Sequence, residues 1–201
     1  MVDELELKQD EDMSKENYEN SLKYEDAFAF WFLENGCTVR KASKEEDCKL
    51  KYDAVVKDKW GKVLDNEVHK IDFKSMHWSY RRICGTKALW FETDKHAGLA
   101  YNFIVNPSEY GWYRVPCTSE ATDILFGLAD THWTKCLLVK RDHLAENIAS
   151  LIEHGAYVTK GSSGNTLMWL PLETVEALAW RTFDMSGAFS RLGLNPWYTR
   201  M

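Results

Sequence analysis

Short apolar segments separated by polar turns dominate this chain, which predicts a series of β-strands together with several helices. The first helix is predicted from Ser21 to about Asn35, where apolar residues recur at helical spacing and Gly36 follows as a helix-ending residue. Helices are also predicted over 142–153 and over 172–183, and a loosely structured tail follows the second of these. Strands are predicted over 37–42, 52–58, 68–75, 88–91, 100–105, 112–115, 124–128 and 136–139.

The chain divides into an acidic segment and one predicted domain. Residues 1–17 are acidic and lack apolar periodicity, which is typical of a mobile, solvated tail. No internal repeat and no linker divides residues 18–201, so this range is predicted to form a single domain. A chain of 201 residues is long enough to bury a full hydrophobic core.

The segments 52–58 and 68–75 are predicted to pair as an antiparallel hairpin, because turn-forming residues 59–62 follow the first of them. Successive side chains of a strand point to opposite faces, so Asp72 and Lys74 share one face, about 6–7 Å apart. The residues that alternate with them, Ile71 and Phe73, are then predicted to face a core, with Lys74 lining a cleft.

Asp53 stands at the start of the first strand of this hairpin, and Asp72 lies in the returning strand. Two carboxylates brought together in this way repel each other unless a divalent cation neutralises them. Carboxylate oxygens with few other ligands suit Mg²⁺, which keeps waters and accepts phosphate oxygens into its coordination shell. Lys74 could then orient an attacking water or stabilise a pentavalent phosphate. The alternative is a surface hairpin in which Asp72 and Lys74 form an ion pair.

A third carboxylate is expected from the first helix. Glu25 is followed at helical spacing by Phe28, Ala29 and Phe32, so it lies in line with an apolar stripe that faces the core. Burying an acid there is costly unless a partner such as a metal compensates for it. Asp26 is the competing candidate, because apolar residues follow it at the same offsets.

The distribution of charge favours an anionic partner more than the net charge of −6 suggests. Residues 1–26 contain ten acidic and three basic residues, which leaves the rest of the chain slightly positive. Residues 69–87 are basic, and within them residues 77–87 interleave cations with aromatic side chains, a composition that suits nucleic-acid backbones and bases. The alternative is a solvated helix face with two buried aromatics. The candidate nucleic-acid-binding residues are Lys70, His77, Arg81, Arg82 and Lys87.

With Glu25 in the opening helix, Asp53 at a strand start and Asp72-Phe73-Lys74 after a turn, the chain resembles the PD-(D/E)XK nuclease superfamily. The resemblance covers roughly residues 21–75, and the downstream segments 90–92 and 137–144 are similar to small phage-type, single-domain members. Tyr52 stands where the motif has proline. The resemblance implies an α/β fold in which a central mixed β-sheet is flanked by helices, as in the restriction-endonuclease-like core.

The resemblance also implies a Mg²⁺ or Mn²⁺ site and hydrolysis of nucleic-acid phosphodiesters, with DNA rather than RNA as the expected substrate. By position, Asp53 and Asp72 would be metal ligands, Glu25 a direct or water-mediated ligand, and Lys74 the residue that orients water or offsets developing charge. The competing function is a non-catalytic protein that uses this fold to bind a nucleic acid or a protein. A homo-oligomer or a protein partner is also possible on this basis.

Other features of the sequence give weaker indications. No apolar run is long enough to cross a bilayer, no secretory signal follows Met1, and five cysteines lack framework spacing, so we expect a cytoplasmic protein with reduced thiols and no membrane partner. In a phage-encoded protein this would be the cytoplasm of the host. His132 and Cys136 lack a second ligand pair for zinc. Glu92 is expected to face solvent, with reach to the metal from an adjoining strand as the alternative. Residues 161–165 are predicted to form a turn.

Overall fold

The structure is a computed structural model that describes residues 22–75, 81–83, 86–94, 104–108, 111–115, 120–127, 135–146, 157–160 and 166–193. The acidic segment 1–17 lies outside the described residues. The helices are α1 (22–34), α2 (Lys44–Leu50), α3 (Arg141–Glu146), α4 (Leu172–Leu178) and α5 (Ser186–Arg191).

The strands form one large and two small sheets. The large sheet contains β1 (Thr38–Lys41), β2 (Ala54–Lys57), β3 (Val68–Ser75), β8 (Asp123–Gly127), β9 (Lys135–Lys140) and β12 (Ala179–Asp184). A second sheet contains β4 (Arg81–Ile83), β5 (Thr86–Asp94), β10 (Tyr157–Lys160) and β11 (Thr166–Pro171), and β6 (Ile104–Ser108) pairs with β7 (Gly111–Val115).

The large sheet is mixed, as expected. Its strand order is β1-β2-β3-β8-β9-β12, and neighbours are antiparallel except β3 and β8, which run parallel. The predicted hairpin is confirmed, because Ala54–Lys57 pairs antiparallel with residues 68–71. Ile71 and Phe73 are buried, as their alternation with polar residues predicts. The chain is therefore an α/β protein built around this sheet.

Helix α1 packs on the face of the sheet that carries Ile71 and Phe73. Its buried residues include Phe28 and Phe32, and the Phe28 ring lies 5.1 Å from the Phe73 ring, centroid to centroid. The helix ends at Gly36, whose φ of 85° is the left-handed conformation that favours glycine. The predicted end of this helix is confirmed, and its apolar stripe fixes which side of α1 faces the sheet.

Gly127 on β8 provides the space that this packing requires. A Cβ atom at Gly127 would lie 2.4 Å from Cζ of the buried Phe28 ring, which is too close for either group to stay in place. We expect Gly127→Ala to lower the free energy of unfolding by about 1–3 kcal/mol, the usual cost of overpacking a core. Urea denaturation measures this, with Gly187→Ala as control because nothing lies within 4 Å of a Cβ there. Equal midpoints for Gly127→Ala and wild type would contradict the described packing.

A buried polar network joins β3, β8, β9 and β12. The Asp123 carboxylate is fully buried, its Oδ2 lies 2.8 Å from His69 Nδ1, and its Oδ1 accepts the Trp180 Nε1–H at 2.9 Å. Lys140 Nζ lies 3.3 Å from Asp123 Oδ1, and Asp65 Oδ1 lies 2.7 Å from His69 Nε2. Both ring nitrogens of His69 therefore face carboxylate oxygens, which a protonated imidazole satisfies because each N–H can donate.

The sequence prediction is wrong at the C-terminal end of the chain. The helix predicted over 172–183 ends at Leu178, and Ala179–Asp184 forms strand β12, which pairs antiparallel with β9. The predicted loose tail is also wrong for residues 186–191, which form α5. Pairing with the edge of β9 overrides the helical spacing of Trp180 and Phe183.

Several smaller predictions differ in their limits. The strand predicted over 88–91 is longer, since β5 covers Thr86–Asp94. The predicted break at Asn106-Pro107 is wrong, because β6 continues through Pro107 and pairs with β7. The helix predicted over 142–153 is described only as α3. The predicted turn over 161–165 lies outside the described residues. No helix in the described part of the chain is long and apolar enough to span a membrane.

Candidate active site

Asp53 lies immediately before β2, and its hydrogen bonds reach β3 on both sides of Asp72. Its backbone N–H donates to the carbonyl oxygen of Ile71 at 2.9 Å. Its carboxylate Oδ2 accepts the backbone N–H of Phe73 at 2.6 Å. The two bonds hold the Asp53 side chain against the part of β3 that carries Asp72, so the hairpin brings these two predicted site residues together.

Lys74 lies beside Asp72 on the same strand. Its Nζ is 3.1 Å from Asp72 Oδ1, and the side chains are 24% and 8% exposed. The D-x-K spacing places both residues on one face, as the sequence predicts. The pair is mostly withdrawn from water, so its electrostatic interaction is screened less than that of an exposed pair.

The pKa of Asp53 is raised to about 8, chiefly because burial disfavours the charged carboxylate. The negative charges of Asp72 and Glu25 raise it further, whereas Lys74 and the Phe73 N–H act in the opposite direction. Ionising all three carboxyl groups would therefore give the site more negative charge than Lys74 offsets, and an added cation would favour that ionised form.

Glu25 on α1 belongs to the same electrostatic group. Burial is the largest cause that raises its pKa, and the charges of Asp47 and Asp72 add to the effect, while Lys41 and Lys74 oppose it. Asp26, the competing candidate, is exposed and forms an ion pair with Lys41 instead. Glu25 is thus the helix carboxylate that is coupled to Asp53 and Asp72.

A cavity of about 240 Å³ opens beside these carboxylates. Glu25, Asp53 and Phe73 line it from α1 and the hairpin, and Lys41, Lys44 and Asp47 line it from the opposite segment. The two lysines outnumber Asp47 there, so this is the basic side of the cavity. Lys74, which was predicted to line a cleft, is not among the residues that line this one.

Helix α2 fixes the basic side of the cavity. Ser43 caps the helix, since its Oγ accepts the Glu46 N–H at 3.2 Å while Glu46 Oε2 accepts the Ser43 N–H at 2.8 Å. Glu46 also accepts two hydrogen bonds from Arg40 and one from the Tyr52 hydroxyl. The sequence analysis missed α2, although the Ser43-x-x-Glu46 capping box is visible in the sequence.

The carboxylates are close enough to perturb each other, but they do not converge on one point. Among the described residues, no group of three or more His, Cys, Asp or Glu side chains is arranged to hold a metal ion. The donor set itself fits a hard divalent cation, because it consists of carboxylate oxygens. Asp53 and Asp72 are the residues that could hold such an ion, with Glu25 beside them.

Folding stability should fall as pH rises through neutrality because of Asp53. Its pKa is 3.8 in the absence of perturbation and about 8 in the folded protein, so between these values the folded state binds more protons than the unfolded chain. The free energy of unfolding therefore decreases as pH rises. Thermal melts in chelator from about pH 5 to about pH 9 should show a falling Tm for wild type and a shallower fall for Asp53→Asn.

The matched control for this experiment is Asp26→Asn, which changes an exposed acid close to the site in sequence. Its Tm should follow the wild-type pH dependence. An Asp53→Asn profile that runs parallel to the wild-type profile would contradict the raised pKa of Asp53.

The predicted nucleic-acid-binding residues are only partly described. Lys70 forms an ion pair with Glu120, and its Nζ lies 5.2 Å from the centroid of the Tyr52 ring. His77 lies outside the described residues. The backbone of Arg81 and Arg82 lies in β4, where Arg82 is paired with Lys87 of β5. The alternative of a helix face is wrong for these residues, since they form antiparallel strands.

The minor candidates are only partly described. Glu92 lies on β5, which belongs to the second sheet. The strands next to β3 are β2 and β8, so β5 does not adjoin the strand that carries Asp72, as the alternative for Glu92 assumed. Cys136 is buried in the core next to β8, and His132 lies outside the described residues. The polar network around His69 and Asp123 was not predicted, because its two central residues are 54 positions apart.

No protein-family model, curated protein or solved structure matches this chain.

Proposed function

We propose that this protein is a metal-dependent nuclease that hydrolyses phosphodiester bonds, with DNA as its substrate. The observation that carries the proposal is the grouping of Asp53, Asp72 and Lys74. Asp53 is hydrogen-bonded to β3 next to Asp72, and Lys74 Nζ lies 3.1 Å from Asp72. Paired carboxylates with an adjacent lysine, next to an open cavity, are the groups that phosphodiester hydrolysis requires.

Each residue has a distinct role in this proposal. Asp53 and Asp72 hold Mg²⁺ or Mn²⁺, and Glu25 contributes directly or through water. A divalent cation held by carboxylates polarises a phosphate oxygen and lowers the pKa of a bound water. Lys74 orients the attacking water or offsets the negative charge that develops on the phosphate. The position of Lys74 Nζ, 3.1 Å from Asp72 Oδ1, keeps the ammonium group next to a proposed metal ligand.

The cavity supports the same proposal from its basic side. Lys44 is exposed at the start of α2, and Lys41 lines the cavity beside it. Ammonium groups there can contact phosphate oxygens of a strand that enters between the two walls. The order of elements is also compatible with a restriction-endonuclease-like core. Helix α1 is followed by the antiparallel strands β1, β2 and β3, with α2 between the first two. Asp53 immediately precedes β2, and Asp72 and Lys74 lie on β3.

The test is to incubate the full chain with single-stranded DNA, linear duplex DNA, circular DNA and RNA, each with Mg²⁺, with Mn²⁺ or with EDTA. We expect cleavage of at least one DNA substrate with a metal and none with EDTA. The absence of cleavage from every sample, or equal cleavage in EDTA, would contradict the proposal. Binding without cleavage would favour the competing function, a non-catalytic nucleic-acid-binding protein in which Lys74 and Asp72 form a structural ion pair.

A further inference from the structure

The loop that joins β2 to β3 exposes a tryptophan among lysines. Trp60 is 67% exposed, and Lys59 Nζ lies 5.0 Å from the centroid of its ring. Lys57 and Lys62 are also exposed. Single exposed apolar residues are common on protein surfaces, but an exposed indole in contact with one lysine, with two more exposed lysines nearby in the sequence, combines two features that favour the same ligand.

The conformation of this loop is fixed by its own residues. The buried Asp58 carboxylate accepts backbone N–H groups from Trp60 at 2.9 Å and from Leu64 at 3.0 Å, and it also binds the N–H of Val63. Leu64 is fully buried in the core. Because Asp58 and Leu64 anchor the loop from inside, the outward position of Trp60 is part of the fold.

The exposed charge of the loop is positive. Asp58 is turned into the loop, and Asp65 contacts His69. The exposed lysines are Lys59 and Lys62 in the loop and Lys57 at the end of β2, and they outnumber the exposed Glu67 and the half-exposed Asp65. A polyanion is therefore the partner that this surface fits.

We propose that the Trp60 loop binds single-stranded nucleic acid, with a base stacked on the indole and the lysines contacting the flanking phosphates. Every base has a face that can stack on an aromatic ring, so this contact is tolerant of sequence. Attachment to a membrane would need a larger apolar area than one indole and the neighbouring Val68 provide.

The proposal deepens the proposed function and rests on it for the identity of the ligand. The loop lies at the opposite end of β2 from Asp53, about 13 Å away along the strand at about 3.3 Å per residue. A nucleic-acid strand bound both at this loop and at Asp53 would run along the hairpin. The loop would then hold the part of the substrate that is not being cut.

The test is binding in EDTA, which removes cleavage from the measurement. Fluorescence anisotropy of labelled oligothymidylate and of a duplex of equal length gives the two affinities for the full chain. We expect Trp60→Ala to weaken single-strand binding about tenfold, the effect of losing one base–aromatic stack, and to affect duplex binding less. Trp60→Phe should retain most of the affinity. Leu33→Ala, which alters an exposed apolar residue on α1, should bind like wild type.

Three results would overturn this proposal. The first is that Trp60→Ala binds single strands with wild-type affinity. The second is that Trp60→Ala and Trp60→Phe lose affinity equally. The third is that Trp60→Ala loses binding to anionic phospholipid vesicles while its oligonucleotide binding is unchanged. The outcomes separate the two proposals. Binding that depends on Trp60 without any cleavage would contradict only the nuclease function, whereas cleavage without a Trp60 effect would contradict only the stacking site.

Discussion

Replacing Asp72 by asparagine should abolish metal-dependent cleavage while the protein stays folded. Asparagine keeps the volume of the side chain and removes its charge, so a residue that holds a divalent cation loses most of its affinity for the ion. The change also relieves repulsion with the buried Asp53 carboxyl, which offsets the loss of the Lys74 ion pair. We therefore expect activity to fall at least about a hundredfold with little change in Tm.

Lys74→Ala should also lose activity, but for a different reason. If Lys74 acts mostly in the transition state, its removal lowers kcat by about 10²–10³ while divalent-ion binding and substrate binding persist. Calorimetric titration with Mn²⁺ distinguishes the two variants, since Asp72→Asn should bind the ion weakly and Lys74→Ala should bind it well. Asp53→Asn should behave like Asp72→Asn, and Glu25→Gln should be milder if its contact passes through water.

The matched controls are Glu45→Gln and Lys49→Ala, which alter the two exposed members of one surface ion pair. Both should retain wild-type activity and Mn²⁺ affinity. A structural ion pair between Asp72 and Lys74 predicts another pattern, in which each variant loses stability and any remaining activity is proportional to the folded fraction. That pattern would contradict the assigned roles.

Asp123→Ala should cause the largest loss of stability among the substitutions considered. Asp123 is fully buried and contacts His69, Thr122, Trp180 and Lys140. Removing the carboxylate leaves these polar groups without their shared acceptor. Breaking a buried ion pair in this way costs about 3–5 kcal/mol. Urea denaturation should show this loss, whereas Asp65→Asn, at the half-exposed end of the network, should cost much less.

The same network should make stability depend on pH. Burial acts to lower the pKa of His69, but the hydrogen bond and charge of Asp123, together with Asp65, outweigh it and raise the pKa above 6.5. The stabilisation is therefore complete below about 6.5 and is lost as pH rises through the raised pKa. The Tm difference between wild type and His69→Gln should therefore shrink as pH rises above about 6.5. Because both proteins contain Asp53, its own pH dependence affects both Tm values and is removed when one is subtracted from the other. A constant difference would contradict a protonated His69.

The pKa of Asp123 determines how far the pH can fall before the network loses its contribution to stability. Burial acts to raise this pKa, but hydrogen bonds from His69 and Thr122 and the charge of Lys140 lower it below 3.8. Its contribution is thus present above about 3.8 and lost only as pH falls through the lowered value.

Local patterns predicted the parts of the fold that local interactions determine. The alternation around Ile71 and Phe73 gave the buried face of β3, and the turn after β2 gave its hairpin partner. These predictions placed Asp53 beside Asp72, and the i, i+2 spacing placed Lys74 on the same face as Asp72. The position of Glu25 followed from the apolar stripe of α1, because that stripe determines which side of the helix meets the sheet.

Contacts between distant segments limited the prediction elsewhere. Trp180 and Phe183 have helical spacing with the residues before them, and only the edge of β9 turns this segment into a strand. The parallel pairing of β3 with β8 joins segments about fifty residues apart, so the meeting of His69 with Asp123 has no local signal in the sequence. The Trp60 loop was interpreted only as a turn, because its exposure depends on the burial of Leu64.

The most direct measurement of the central claim compares wild type and Asp72→Asn, purified in parallel, on end-labelled single-stranded DNA and on circular DNA. Each protein is assayed with Mg²⁺ and with EDTA, and circular dichroism verifies equal folding. The account predicts shorter or nicked products only for wild type with Mg²⁺. Equal cleavage by Asp72→Asn, or no cleavage by a folded wild type with either Mg²⁺ or Mn²⁺, would contradict it.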